Sequence, residues 1–149
     1  MRKIYILFLF IFFQTFSQTK KECMDIMNHY GNNYNKPEYS FDYVDKKLNP
    51  TLTKVQTIIC KTEDKELLES FLIMIQKSSG SANEHPADIL GGIFICHPEI
   101  VEEELKGKFK DKMIFDNLEL GFLNITTNLP LDNKLKNLKN RMYKLINTL

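Results

Sequence analysis

The sequence predicts a mostly α-helical protein, a single small domain of short antiparallel helices. Two observations predict it. Apolar residues recur at three- and four-residue spacing through most of the chain beyond residue 20. Glycine, proline and asparagine clusters interrupt that spacing repeatedly, at Gly31-Asn32-Asn33, Asn49-Pro50, Ser79-Gly80, His97-Pro98 and Leu129-Pro130.

Residues 1–17 have the layout of a secretory signal peptide. Arg2 and Lys3 supply positive charge, and Ile4 to Phe13 carry none. Thr15 and Ser17 are small residues at −3 and −1 of a cut after Ser17. The apolar run is about half of the roughly 20 residues a bilayer span needs. Gln14 and the polar stretch from Gln18 to Glu22 end it sharply. Cys23 is preceded by Lys21 and Glu22, where a lipobox needs small and apolar residues, so no lipid anchor is expected. The expectation is an exported protein, periplasmic or secreted, with no stable membrane span after signal removal. Heavy use of Lys, Asn and Ile, with Arg2 and Arg141 as the only arginines, fits an AT-rich bacterial genome.

Residues 18–149 then form one helical domain, 132 of the 149 residues. Loss of Arg2 and Lys3 takes the 20 basic side chains to 18 against 19 acidic ones, a net charge of about −1. That balance argues against nucleic acid, whose binding needs a clustered basic surface. The C-terminal basic residues, Lys134, Lys136, Lys139, Arg141 and Lys144, fall between apolar positions and read as a solvated helix face.

The elements follow in order. Cys23, Ile26, Met27 and Tyr30 share one helical face over 20–30, which Gly31-Asn32-Asn33 stops. Tyr39, Phe41 and Tyr43 alternate with polar residues, yet Phe41, Val44 and Leu48 suit a short helix from Ser40, and the helix is preferred. Asn49-Pro50 marks a boundary, after which Leu52, Val55 and Ile59 keep helical spacing. Thr62 reads as the N-cap of a helix to Lys77, with Leu67, Leu68, Phe71, Leu72 and Ile75 as its apolar stripe. His85-Pro86 and His97-Pro98 each open a helix, the first reaching Ile95 and the second stopping near Gly107. Ala87 and Gly91 make a smooth stripe for close packing. Residues 111–125 form a further helix on Ile114, Leu118 and Phe122. Leu131, Leu135, Leu138, Met142, Leu145 and Leu149 form a heptad-like seam on the last helix, too short for a free-standing coiled coil.

The succession of short helices resembles a HEAT-like or other α-solenoid fragment in layout. No internal repeat or residue signature accompanies that resemblance.

The candidate chemistry is sparse. His85, Cys96, His97 and Glu99 are of types that bind zinc or build nucleophiles, but no metal or cysteine-nucleophile spacing accompanies them. Helix capping by both histidines and burial of Cys96 are the expected roles. A cysteine pair, if formed, is expected between Cys23 and Cys60, because antiparallel helices bring the start of one to the end of the next. The small polar loop 78–84 reads first as a plain interhelical loop, with an anion site on the N–H groups of the helix after Pro86 as the alternative. Glu102-Glu103-Glu104 could ligate calcium or pair with a basic partner, but it lacks the alternating oxygen ligands of an EF-hand and reads as a solvated face. Tyr30, Tyr34, Tyr39, Phe41 and Tyr43 form an aromatic-rich region suited either to an interface or to a core edge. Asn124-Ile125-Thr126 is a formal glycosylation sequon.

The functional expectation is an exported, non-catalytic protein that binds another macromolecule, a protein first of all, with no cofactor and no metal. Inhibitors and immunity proteins of interbacterial toxins share that size and class. The rivals are a metal- or thiol-dependent enzyme using His85, Cys96 and His97, and a structural envelope component. A binding protein should expose an apolar or aromatic patch. An enzyme should bring His85 and Cys96 together in a pocket.

Overall fold

The computed structural model describes residues 19–130 and 132–148, and among these every regular element is a helix. The signal-peptide assignment to residues 1–17 lies outside the described residues. So do Leu131 and Leu149 of the C-terminal seam.

Helix α1 is described over residues 19–33 and buries Cys23, Met27 and Tyr30. After a single 3-10 turn, Pro37–Tyr39, the expected helix from Ser40 forms, but Asn49-Pro50 does not end it. One α turn, Phe41–Tyr43, passes through a π-helical stretch, Val44–Leu48, straight into α2, Asn49–Thr62. Pro50 supplies the reason. It has no N–H for the carbonyl of Lys46, and its ring would collide with that carbonyl in a tight α turn. The upstream turn opens instead, and the Asn49 N–H donates to the Val44 carbonyl.

Glu63, left-handed at φ 54°, and Asp64, extended, turn the chain into α3, Lys65–Lys77. The N-cap is Asp64 rather than Thr62: its carboxylate accepts from Leu67 N–H at 3.0 Å. Thr62 still belongs to α2, and its hydroxyl donates back to the Ile58 carbonyl at 2.9 Å. The apolar stripe of α3 is buried as its spacing predicts, with Met74 added.

Helices α4, His85–Cys96, and α6, Lys112–Thr126, make the most extensive interface in the domain. They cross backbone against backbone at Gly91 and Gly121, beside the edge-on ring pair Phe94 and Phe122. The smooth stripe of Ala87 and Gly91 thus meets a helix two places further along the chain. Helix α5, Pro98–Lys106, is the excursion between them. The principal contact thus skips a sequence neighbour.

Helix α7, Asn133–Ile146, is capped by Asp132 and buries Leu138, Met142 and Leu145. Arg141 ties it to α5, reaching Glu99 at 2.9 Å and Glu102 at 2.7 Å. The Arg141 hydrogen bond holds Glu99 below the usual carboxylate range. Burial pushes Glu102 up, but Arg141 and Lys106 outweigh it and leave that carboxyl lowered too. Depressed carboxylates stabilise the fold above their ordinary pKa, about 4.3 for Glu, and that stabilisation is lost as pH falls through the lower folded values. Glu104, raised by burial and then by Glu69 and Glu103, has the opposite sign. It is common to wild type and an Arg141 variant. Arg141→Gln is therefore expected to be less stable near neutral pH, with the gap closing below about pH 4. Denaturant midpoints of both proteins across pH check this. A gap unchanged in acid would mean that Arg141 acts through its aliphatic stem alone.

Candidate functional site

The chemical set read from the sequence is split by the fold. His85 opens α4 and Cys96 closes it, roughly 16 Å apart at 1.5 Å per residue. The His85 ring faces α2, with Nε2 3.5 Å from Thr53 Oγ1. Cys96 is bonded to Cys60 with the Cα atoms 5.7 Å apart, so the expected Cys23–Cys60 bridge does not form. Cys23 is buried in the core and free. The topology explains the exchange. Asn83 bonds Asn49 at the starts of α4 and α2, and His97 bonds Cys60 at their ends, so α2 and α4 run side by side in the same direction. Their C-termini coincide, and the two cysteines meet there. Cys96 is exposed rather than buried.

Neither histidine caps a helix through its ring. His97 is the N-cap residue of α5 by backbone only, and Glu84 holds that position in α4. The His97 ring instead joins three segments, with Nε2 3.0 Å from the Cys60 carbonyl and Nδ1 3.4 Å from Glu63 Oε1. Glu99 turns away to Arg141. Both sulfurs lie at helix C-termini, where the dipole disfavours a thiolate, whereas reactive thiols lie at N-termini or beside cations. A bonded sulfur is neither nucleophile nor thiolate ligand. No group of three or more His, Cys, Asp or Glu that could hold a metal occurs among the described residues.

Two members of the acidic run are held in ion pairs, Glu102 with Arg141 and Lys106, and Glu103 with Lys65 at 2.6 Å. The anion site imagined at the start of α4 is closed. Asn83 Oδ1 accepts the His85 N–H, the Glu84 carbonyl accepts that of Ala87, and Pro86 has none. Asn124 of the sequon is exposed and donates to Asp88 Oδ1 at 2.9 Å.

The fold does join two segments that the sequence keeps apart: the aromatic-rich region and the loop after α3. Together they line a groove of about 390 Å³. Tyr30 forms its buried floor. Tyr34 and Tyr39 are half-buried walls, and Phe41, 79 % exposed, stands at the rim. The rings stand at steep angles, Tyr30 to Tyr34 at 51° and Tyr30 to Tyr39 at 67°, with centroids 6.3 and 6.0 Å apart. Two hydroxyls are tied to the loop: Tyr30 Oη is 2.8 Å from Ser81 Oγ, and Tyr34 donates to the Ser79 carbonyl at 2.9 Å. Phe41, Val44 and Asp45, at positions i, i+3 and i+4, line the groove from the turn that leads into α2. A second groove, about 320 Å³, lies between α1 and α3 among Met24, Met27, Ile73 and Met74. It lacks an exposed aromatic residue.

Asp45 was not among the sequence candidates. Its only sequence-level signal is its helical spacing from Phe41, which becomes meaningful once Phe41 is known to face outward. No helix among the described residues is long and apolar enough to cross a membrane. Compared with known proteins, the chain matches no family model, no curated protein and no solved structure.

Proposed function

We propose that this protein acts outside the cytoplasm as a non-catalytic binding protein, and that the tyrosine-lined groove receives a partner protein. The observation that carries this reading is Phe41, a large aromatic side chain left 79 % exposed at the mouth of an aromatic groove. Exposed large apolar side chains that are grouped, rather than scattered, mark interaction surfaces. Aromatic residues dominate the centres of such interfaces because they bury large area with few rotatable bonds. The Cys60–Cys96 bond supports the extracytoplasmic part, since such bonds persist in oxidising compartments. An inhibitor or immunity protein remains the nearest functional analogy, resting on class alone.

The test is capture from an envelope extract of the native host by the tagged protein and by its Phe41→Asp variant. Wild type is expected to enrich a partner that the variant loses by roughly 30-fold or more, the loss a hot-spot residue produces. Phe41 is exposed, so the variant should fold like the wild type, which circular dichroism checks. An identical captured set from both proteins would end this reading.

A further inference from the structure

The groove combines two features that together select for charge. Four aromatic side chains, Tyr30, Tyr34, Tyr39 and Phe41, share its lining with a carboxylate, Asp45. Asp45 makes no side-chain hydrogen bond or ion pair among the described residues, while the neighbouring Asp42 is paired with Lys46 at 2.7 Å. Aromatic faces carry negative potential and attract cations within about 6 Å of the ring centroid, more strongly where water is displaced. The protein makes this contact with its own charge nearby, where Lys47 Nζ lies 5.7 Å from the Tyr43 ring centroid. The hydroxyls of Tyr30 and Tyr34 are engaged by Ser81 and Ser79.

We propose that the groove binds a cationic side chain, arginine or lysine, of the partner protein, seated against the rings of Tyr34 and Tyr39 above the Tyr30 floor and paired with Asp45. This deepens the binding reading above and rests on it. A protein side chain fits better than a free amine because the groove is open to solvent along one side and continues onto exposed Phe41. A free ammonium ion would need enclosure, whereas a side chain brings flanking residues that cover Phe41.

The experiment titrates the full protein with N-acetyl-glycyl-arginyl-glycinamide, with the same peptide carrying neutral citrulline, and with tetramethylammonium. The tyrosine ring resonances are followed by NMR at fixed ionic strength. The arginine peptide is expected to shift the Tyr30, Tyr34 and Tyr39 rings with a Kd on the order of 1 mM. The citrulline peptide should bind at least about fivefold more weakly. Asp45→Asn should bring the two peptides to within about twofold of each other while leaving the circular dichroism spectrum unchanged. Equal binding of both peptides to wild type, or no ring shift up to about 10 mM, would overturn the cation assignment. Tetramethylammonium binding more tightly than the arginine peptide would overturn the protein source in favour of a small amine. The broader reading fails separately: if the Phe41→Asp variant still captures the wild-type partner, the groove is not the partner site, whatever the peptides do.

Discussion

Gly121→Ala is expected to destabilise the protein by about 3 kcal/mol or more, although helix propensity alone predicts the opposite. Alanine is about 1 kcal/mol better than glycine in a helix interior, so an unencumbered Gly121 would make the substitution stabilising. Gly121 is not unencumbered. A Cβ there would lie inside the contact distance of the Ala87 carbonyl and 2.9 Å from the Asp88 nitrogen. Gly91 faces it, and a Cβ on Gly91 would lie 2.7 Å from the Gly121 carbonyl oxygen. These obstacles are backbone atoms of a facing helix, which cannot turn aside as a side chain can. Helices α4 and α6 would have to separate, and the Phe94–Phe122 contact would open with them. Gly92→Ala is the control. Its new Cβ would meet the end of the Gln56 side chain, which can swing away, so it should cost less than about 1 kcal/mol. Urea unfolding of the three proteins measures both. A neutral or stabilised Gly121→Ala would mean that the two helices are not in backbone contact.

Removing the Cys60–Cys96 bond, by reduction or by the double change Cys60→Ala and Cys96→Ala, is expected to cost about 3–4 kcal/mol. The cysteines are 36 residues apart, and closing a loop of that size removes that much conformational freedom from the unfolded chain. The melting temperature should fall on the order of 10 °C. Oxidised protein in denaturant should show one reactive thiol, Cys23, and three after reduction. Cys23→Ala should leave the response to reductant intact. A bridge mapped to Cys23, or a melting temperature indifferent to reductant, would contradict the structure.

Most of the helical fold was legible because helix signals are local. The stripe from Leu67 to Ile75, the proline-opened helices at Pro86 and Pro98, and the seam of Leu138, Met142 and Leu145 all needed only spacing along the chain. The errors also have local causes. Thr62 and Asp64 are both good caps two residues apart, and only the turn geometry selects Asp64. Pro50 reads as a boundary because a π turn that accommodates it leaves no mark in residue pattern.

The candidate groove was legible only as two unrelated fragments, the tyrosine-rich region and the serine loop. The cysteine pairing was misread for a related reason. Antiparallel succession was the right rule, but it has two consequences: neighbours meet start to end, and alternate helices meet end to end. The first led to Cys23–Cys60. The second joins Cys60 to Cys96, and choosing between them requires knowing that Cys23 faces the core. Helix identity, the apolar faces and the balanced charge follow from residues a few positions apart, whose interactions the chain itself enforces. The backbone crossing at Gly91 and Gly121, the disulfide, and the meeting of Tyr30 with Ser81 depend on which faces turn toward one another in three dimensions. Packing of the whole core decides that, because any one helix can bury its stripe against several partners and only one arrangement buries them all.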